Sequence, residues 1–200
     1  MTEAISNGNR IITVQELRKM GKLDRAALPA NERLAKSVAI SKKLIASDEF
    51  KNANIIMIYR AFGAEVDLNF LAKAAKNSGK HLLYPLCTSK TEMIALEPLS
   101  EDAWVCGSYG ITEPAREKSK EYMPEEIDLM ICPCTAFDNE CRRIGMGGGY
   151  YDRFLPKCQN AHIIAVGFET QKTTHIPAEP WDYIMDKVYT ESMVYINRQR

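Results

Sequence analysis

Residues 127–155, IDLMICPCTAFDNECRRIGMGGGYYDRFL, run from an apolar segment through a glycine-rich loop into a helix-compatible pattern. Residues 127–132 are short, apolar apart from Asp128 at the mouth, and bounded by breakers, which predicts a strand covered on both faces. Pro133 ends the run, a polar turn at 137–140 follows, and Arg142 and Arg143 precede the loop Gly145, Met146, Gly147, Gly148 and Gly149. Residues 150–155 resume a helical pattern that Pro156 closes. Strand, glycine loop and helix start together aim bare N–H groups and a positive dipole end at an anion. The two arginines add fixed charge suited to phosphate oxygens.

The loop matches neither common phosphate fingerprint. A dinucleotide loop needs a third glycine where Tyr150 stands, and a P-loop needs Gly-Lys-Ser/Thr, which is absent. A tight surface turn is the competing reading. Asp152 argues for the anion site, because magnesium bridging carboxylate and phosphate explains an acid there.

With 200 residues, 46% hydrophobic and 26% charged, the chain has the size and composition of one domain, expected over 1–200 with residues 1–12 as a loose tail. Twenty-six basic residues balance twenty-six acidic ones, so no bulk field favours nucleic acid or an anionic membrane. The N-terminus lacks an apolar signal-like core and no apolar run approaches ~18 residues, which predicts a soluble, cytoplasmic protein. The six cysteines, at 87, 106, 132, 134, 141 and 158, include one C-x-C and no second close pair, a poor zinc pattern suited to a reducing compartment. His81, His162 and His175 share no metal spacing and read as structural. Oligomeric state is not written in the sequence, and a monomer is the default expectation.

Thr13-Val14-Gln15-Glu16 is a capping box opening a helix to about Leu28, stopped by Pro29. Arg18, Lys19, Lys22 and Arg25 give it a mostly solvated basic face. A second helix over about 31–47 places Leu34, Val38, Ser41 and Ile45 on one stripe. Strand candidates at 54–59, 81–85 and 162–168, with a helix over about 68–77, alternate as βαβ and predict a three-layer α/β sandwich with a largely parallel or mixed central sheet. Residues 93–96 suggest a short strand, 118–126 a charged surface loop, and about 187–191 a last strand. Glu65 and Asp67 then lie beyond a strand's carboxyl end, where open α/β sheets place ligands, although helix N-terminal acids would sit there too. Trp104 reads as a rim or core aromatic.

The string Arg143-Ile144-Gly145-x-Gly147-x-Gly149-Tyr150-Tyr151-Asp152-Arg153 resembles the signature of the 5-formyltetrahydrofolate cyclo-ligases, also called 5,10-methenyltetrahydrofolate synthetases. Tyr109 to Pro114 and residues 171–186 resemble further family segments. The resemblance implies ATP- and Mg²⁺-dependent closure of 5-formyltetrahydrofolate through phosphorylation of its formyl oxygen. It implies ATP held by Arg18, Arg143, Gly145, Met146, Gly147, Gly148, Gly149, Tyr150 and Tyr151. Arg143, Tyr150 and Asp152 would act in catalysis, Glu65 with Tyr150 and Tyr151 would hold the folate, and Asp152 and Asp182 would hold magnesium. Asp186 also matches the family, with a structural role equally open. The departures are Val14 for a phosphate-binding lysine, Leu68 for threonine, Cys141 for glycine, Trp181 for histidine, and Met146 and Gly148 within the loop. Val14 keeps open a catalytically impaired nucleotide- or folate-binding relative. A dinucleotide-dependent oxidoreductase is a further alternative, opposed by Tyr150.

Overall fold

Continuous apolar strands need cover on both faces, and the computed structural model, which describes residues 6–7, 10–107, 110–177, 179 and 182–198, supplies it. A ribbon of β1 (Ser6–Asn7) and β2 (Arg10–Ile11) precedes α1 (Val14–Ala27), α2 (Ala30–Ala46) and α3 (Asp48–Asn52). Then come β3 (Ile55–Met57), α4 (Asn69–Asn77), β4 (His81–Cys87), β5 (Met93–Pro98), the ribbon β6 (Trp104–Cys106) and β7 (Thr112–Pro114), and β8 (Ser119–Tyr122). The chain continues through β9 (Leu129–Pro133), the hairpin β10 (Ala136–Phe137) and β11 (Arg143–Ile144), α5 (Tyr150–Phe154), β12 (His162–Val166), β13 (Lys187–Tyr189) and β14 (Val194–Ile196).

Eight strands form one sheet in the order β14-β13-β12-β9-β3-β4-β5-β8. β13, β12, β9, β3 and β4 pair in parallel, and β14, β5 and β8 add antiparallel margins. Side chains alternate between two cores. Ile56, Leu82, Leu129, Ile131 and Ile164 pack with Ile40, Leu44 and Leu71 of α2 and α4. Met57, Leu83, Met130, Cys132 and Ile163 face the other way, onto Phe154 and Leu155. This is the mixed three-layer sandwich expected from the βαβ alternation. No helix of the described residues is long and apolar enough to cross a membrane.

The capping box forms: the Thr13 hydroxyl accepts the Glu16 N–H at 3.2 Å, and the Glu16 carboxylate accepts the Thr13 N–H at 2.9 Å. Three expectations change. The buried stripe of α2 is Ser37, Ile40, Ser41 and Leu44, while Leu34 is exposed, because the two stripes are adjacent and Ile40 and Leu44 fit the sheet. Residues 119–122 are an edge strand and not a surface loop; Lys120 and Glu121 face solvent and Tyr122 turns inward. Charge on an edge strand blocks further pairing, so it imitates a loop in sequence. In the tail, 6–7 pair with 10–11, while the rest of 1–9, with Tyr109 and Trp181, lies outside the described residues.

Candidate active site

Beyond the carboxyl ends of β3, β9 and β12, the loops enclose a cleft of about 450 Å³ that α1 and the β4–β5 turn complete. Arg18, Glu65, Arg143, Tyr150, Tyr151, Asp152, Asp182 and the whole run 145–149 line it, so the residues singled out from sequence come together in one cavity. Val14, Cys87 and Met93 line it as well.

The glycine loop owes its shape to Gly147 (φ 107°) and Gly149 (φ 66°), conformations that a side chain would strain. Gly149 caps α5, which has only five residues, so its dipole is that of little more than a turn and attraction for an anion falls on loop amides and guanidinium groups. Arg18 Nε donates to the Gly145 carbonyl at 2.8 Å, fastening α1 to the loop. Arg153 donates to the Gly148 carbonyl at 2.7 Å and to Thr91 O at 2.8 Å, and the Tyr150 hydroxyl donates to Ser89 O at 3.0 Å. These bonds fasten the β4–β5 turn to the glycine loop and α5, behind the strand ends Cys87 and Met93 that line the cleft.

Arg143 is the buried cation of the cleft, its side chain 2% exposed. Nη2 donates to Asp152 Oδ1 at 2.8 Å, and the guanidinium lies 5.4 Å from the Tyr151 ring. Its buried Nε has no hydrogen-bond partner among the described residues. Buried donors are nearly always paired, and this Nε shares its lack of a partner with Arg142 Nε and Ser41 Oγ among the described residues. Burial pushes the Tyr151 phenol well above its ordinary range, which keeps it neutral and able to donate.

Glu65 Oε2 accepts the Phe62 N–H at 3.0 Å and Oε1 meets Arg25 Nη2 at 3.4 Å. Arg25 corrects the view of α1 as a mostly solvated basic face: it is buried and also donates to the Cys134 carbonyl at 3.2 Å. Arg18, Gly21 and Arg25 share one stripe of the helix, but that spacing alone does not tell a buried face from a solvated one. Gln171 reads in the sequence at a strand's carboxyl end, opening the family-like segment 171–186, with no role assigned. It is buried, donates to the Cys134 and Thr135 carbonyls at 3.0 Å each and accepts the Phe168 N–H, holding the β9 exit in place. Asp138, read as a turn residue, is a buried acceptor for the N–H groups of Glu140, Arg142 and Ile176.

Asp182 lines the cleft and accepts the Glu179 N–H at 2.8 Å. Asp186 instead exchanges hydrogen bonds with Ile163, fixing β13 beside β12. Trp104 does not line the cleft; it stands edge-on to Tyr84 with Arg60 over its ring at 4.5 Å. His81 bonds Glu97 and Tyr122. The six cysteines are free thiols. Among the described residues no group of three or more His, Cys, Asp or Glu side chains assembles for a metal. Asp152 and Asp182 are hard oxygen donors in one cleft, and this sparse set fits an ion that completes its shell with phosphate and water.

The family model described as the 5-formyltetrahydrofolate cyclo-ligase family matches residues 11–191. The 5-formyltetrahydrofolate cyclo-ligase of Haemophilus influenzae is 29% identical over 171 residues, covering 84% of this chain and 89% of the relative. The NMR structure of Aquifex aeolicus 5,10-methenyltetrahydrofolate synthetase superposes with a TM-score of 0.82 at 30% identity, covering 94% of each chain. A 5,10-methenyltetrahydrofolate synthetase from Mycoplasma pneumoniae superposes with a TM-score of 0.74 at 25% identity, covering 90% of this chain and 99% of that one.

Proposed function

This chain belongs to the 5-formyltetrahydrofolate cyclo-ligase family, and we propose that its cleft closes 5-formyltetrahydrofolate to 5,10-methenyltetrahydrofolate with conversion of ATP to ADP and phosphate. The observation that carries the reading is Arg143: a buried guanidinium paired with Asp152 in the wall of a cleft that the whole glycine loop 145–149 also lines. The loop 145–149, Arg143 and Arg18 hold the triphosphate, and Tyr150 and Tyr151 flank it. Glu65 receives the pterin.

The formyl oxygen attacks the γ-phosphorus and ADP departs. The N10 lone pair then closes on the phosphorylated carbon, the C–O bond breaks with release of phosphate, and the N10 proton leaves to phosphate or solvent. Alignment and charge neutralisation are the main demands of such a sequence. Arg143, at the γ-phosphate end, offsets the charge that builds as the phosphoryl group transfers, and Asp152 keeps that guanidinium aimed. Magnesium bound by Asp152 and Asp182 would offset further phosphate charge. The free thiols accord with work in a reducing cytoplasm.

Mixing the protein with 5-formyltetrahydrofolate and MgATP and following the near-ultraviolet band of the methenyl product tests the proposal. Product should appear only with ATP and magnesium together. Asp152→Asn should reduce turnover by more than about 100-fold, because losing a group that only orients a metal ligand already costs about 10–100-fold and Asp152 is proposed as a ligand itself. Binding of both substrates without product would favour an impaired relative, the reading that Val14 in the cleft wall supports.

A further inference from the structure

Arg25 sits behind the cleft wall and not in it, yet it touches two of the wall's parts. One guanidinium nitrogen reaches the Cys134 carbonyl at the exit of β9, and another reaches Glu65 in the loop after β3. The side chains of Arg25 and Glu65 are 6% and 8% exposed. An ion pair so far out of water survives only when each partner keeps its geometry. Glu65 lines the cleft. We propose that Arg25 is a positioning residue for the folate substrate: from α1 it holds the Glu65 carboxylate as an acceptor facing the N–H edge of the bound pterin. This rests on the folate reading of the cleft given above.

Among the described residues, five titratable or charged groups face Glu65 from the elements packed around it. Arg25 and Lys22 belong to α1, Tyr59 follows β3, Cys134 follows β9, and Tyr151 belongs to α5. Burial keeps Tyr59, Cys134 and Tyr151 protonated and neutral, so the positive charge comes from Arg25 and Lys22, and of these Arg25 makes the contact. Burial pushes the Glu65 carboxyl up, while the Phe62 N–H and Arg25 pull it down. Without Arg25 the carboxyl would take up a proton at higher pH. A protonated Glu65 presents O–H where the 2-amino and N3–H donors of a reduced pterin need an acceptor, so folate would bind poorly on the acid side.

The test is the pH profile of kcat/KM for 5-formyltetrahydrofolate at saturating MgATP, in wild type, Arg25→Met and Arg25→Lys. Arg25→Met should move the acid limb up by about one to two pH units, with activity returning at alkaline pH, and Arg25→Lys should fall between. Glu65→Gln should erase the limb. An unmoved limb, or an equal loss at every pH, would overturn the proposal, because merely structural support moves no ionisation. Should Arg25→Met fail to fold, Arg25→Lys and Glu65→Gln decide the matter by the same criteria. A wild type that binds folate but makes no methenyl product counts against the reaction and not against Arg25. In that case the same pH series, measured as folate binding by calorimetry, shows whether the limb moves.

Discussion

Val14 is the first residue of α1 and lines the cleft four positions before Arg18, which is bound to the loop carbonyl of Gly145. On the proposed reading, a lysine there would add an ammonium donor beside the phosphates assigned to Arg18, Arg143 and the glycine loop. The same change places a cation at a helix N-terminus, a cost of about 0.3–1 kcal/mol. Val14→Lys should therefore lower KM for ATP several-fold while Tm falls by roughly 1–4 °C. Steady-state kinetics with thermal melts would check both, and a KM that holds or rises would remove Val14 from the phosphate end of the cleft. Residues in one short string, such as Arg143, Gly149 and Asp152, were legible in the sequence because local spacing fixes their relation. Arg25 was not, because its burial depends on Glu65, 40 residues away, and on the Cys134 carbonyl, 109 residues away. Cys141 lay between these cases: its mismatch with a family glycine was visible, but the reason, a positive φ of 62° in the turn closed by Asp138, appears only in the fold.

α1 brings Arg18 to the cleft and Arg25 behind its wall, and Gly21 sets how closely it can approach. A Cβ at Gly21 would come within 1.8 Å of the Thr135 carbonyl oxygen, which is backbone and cannot swing aside. Gly21→Ala would raise helix propensity by ~1 kcal/mol in an isolated helix, yet here it must push α1 off the β10 hairpin. Overpacking of this kind costs about 1–3 kcal/mol, so a net loss of stability is expected. The displacement also carries Arg18 away from Gly145 and Arg25 away from Glu65. Chemical denaturation should report the lower stability, and both KM values should rise; a Gly21→Ala protein with unchanged KM values would mean that α1 is not what sets the cleft. Strand cores were legible at this scale because two-sided burial leaves runs such as 129–132 and 163–166 almost wholly apolar. The face of α2 and the edge strand β8 were not, since a second stripe and a row of charges each have more than one reading until neighbours are known.

Across the whole molecule, the cleft joins parts that are remote in sequence: α1, the loop after β3, the β4–β5 turn, the segment after β9 and the segment after β12. Arg18 and Gly145 are 127 residues apart, and Tyr150 and Ser89 are 61 apart. Unfolding separates all of these at once, so a ligand that needs them together binds only the folded chain. Such a ligand stabilises by about 2.7 kcal/mol when present at ~100 times its Kd. For a chain of this size each kcal/mol is worth roughly 2–4 °C in Tm. MgATP at that excess should thus raise Tm by about 5–10 °C. ATP with a chelator should do less if Asp152 and Asp182 hold magnesium as proposed, because two carboxylates would then stand in one cleft with the triphosphate and no cation to offset them. Arg143→Ala should abolish most of the gain, even though its own melting point also falls with the loss of the buried pair. With equal positive and negative charge on the chain, a general polyanion effect is not expected, and inorganic phosphate at the same ionic strength is the control. A nicotinamide dinucleotide that shifts Tm where MgATP does not would overturn the assignment of the glycine loop to ATP, since only ATP carries the terminal phosphate that the proposed reading assigns to Arg143 and the loop.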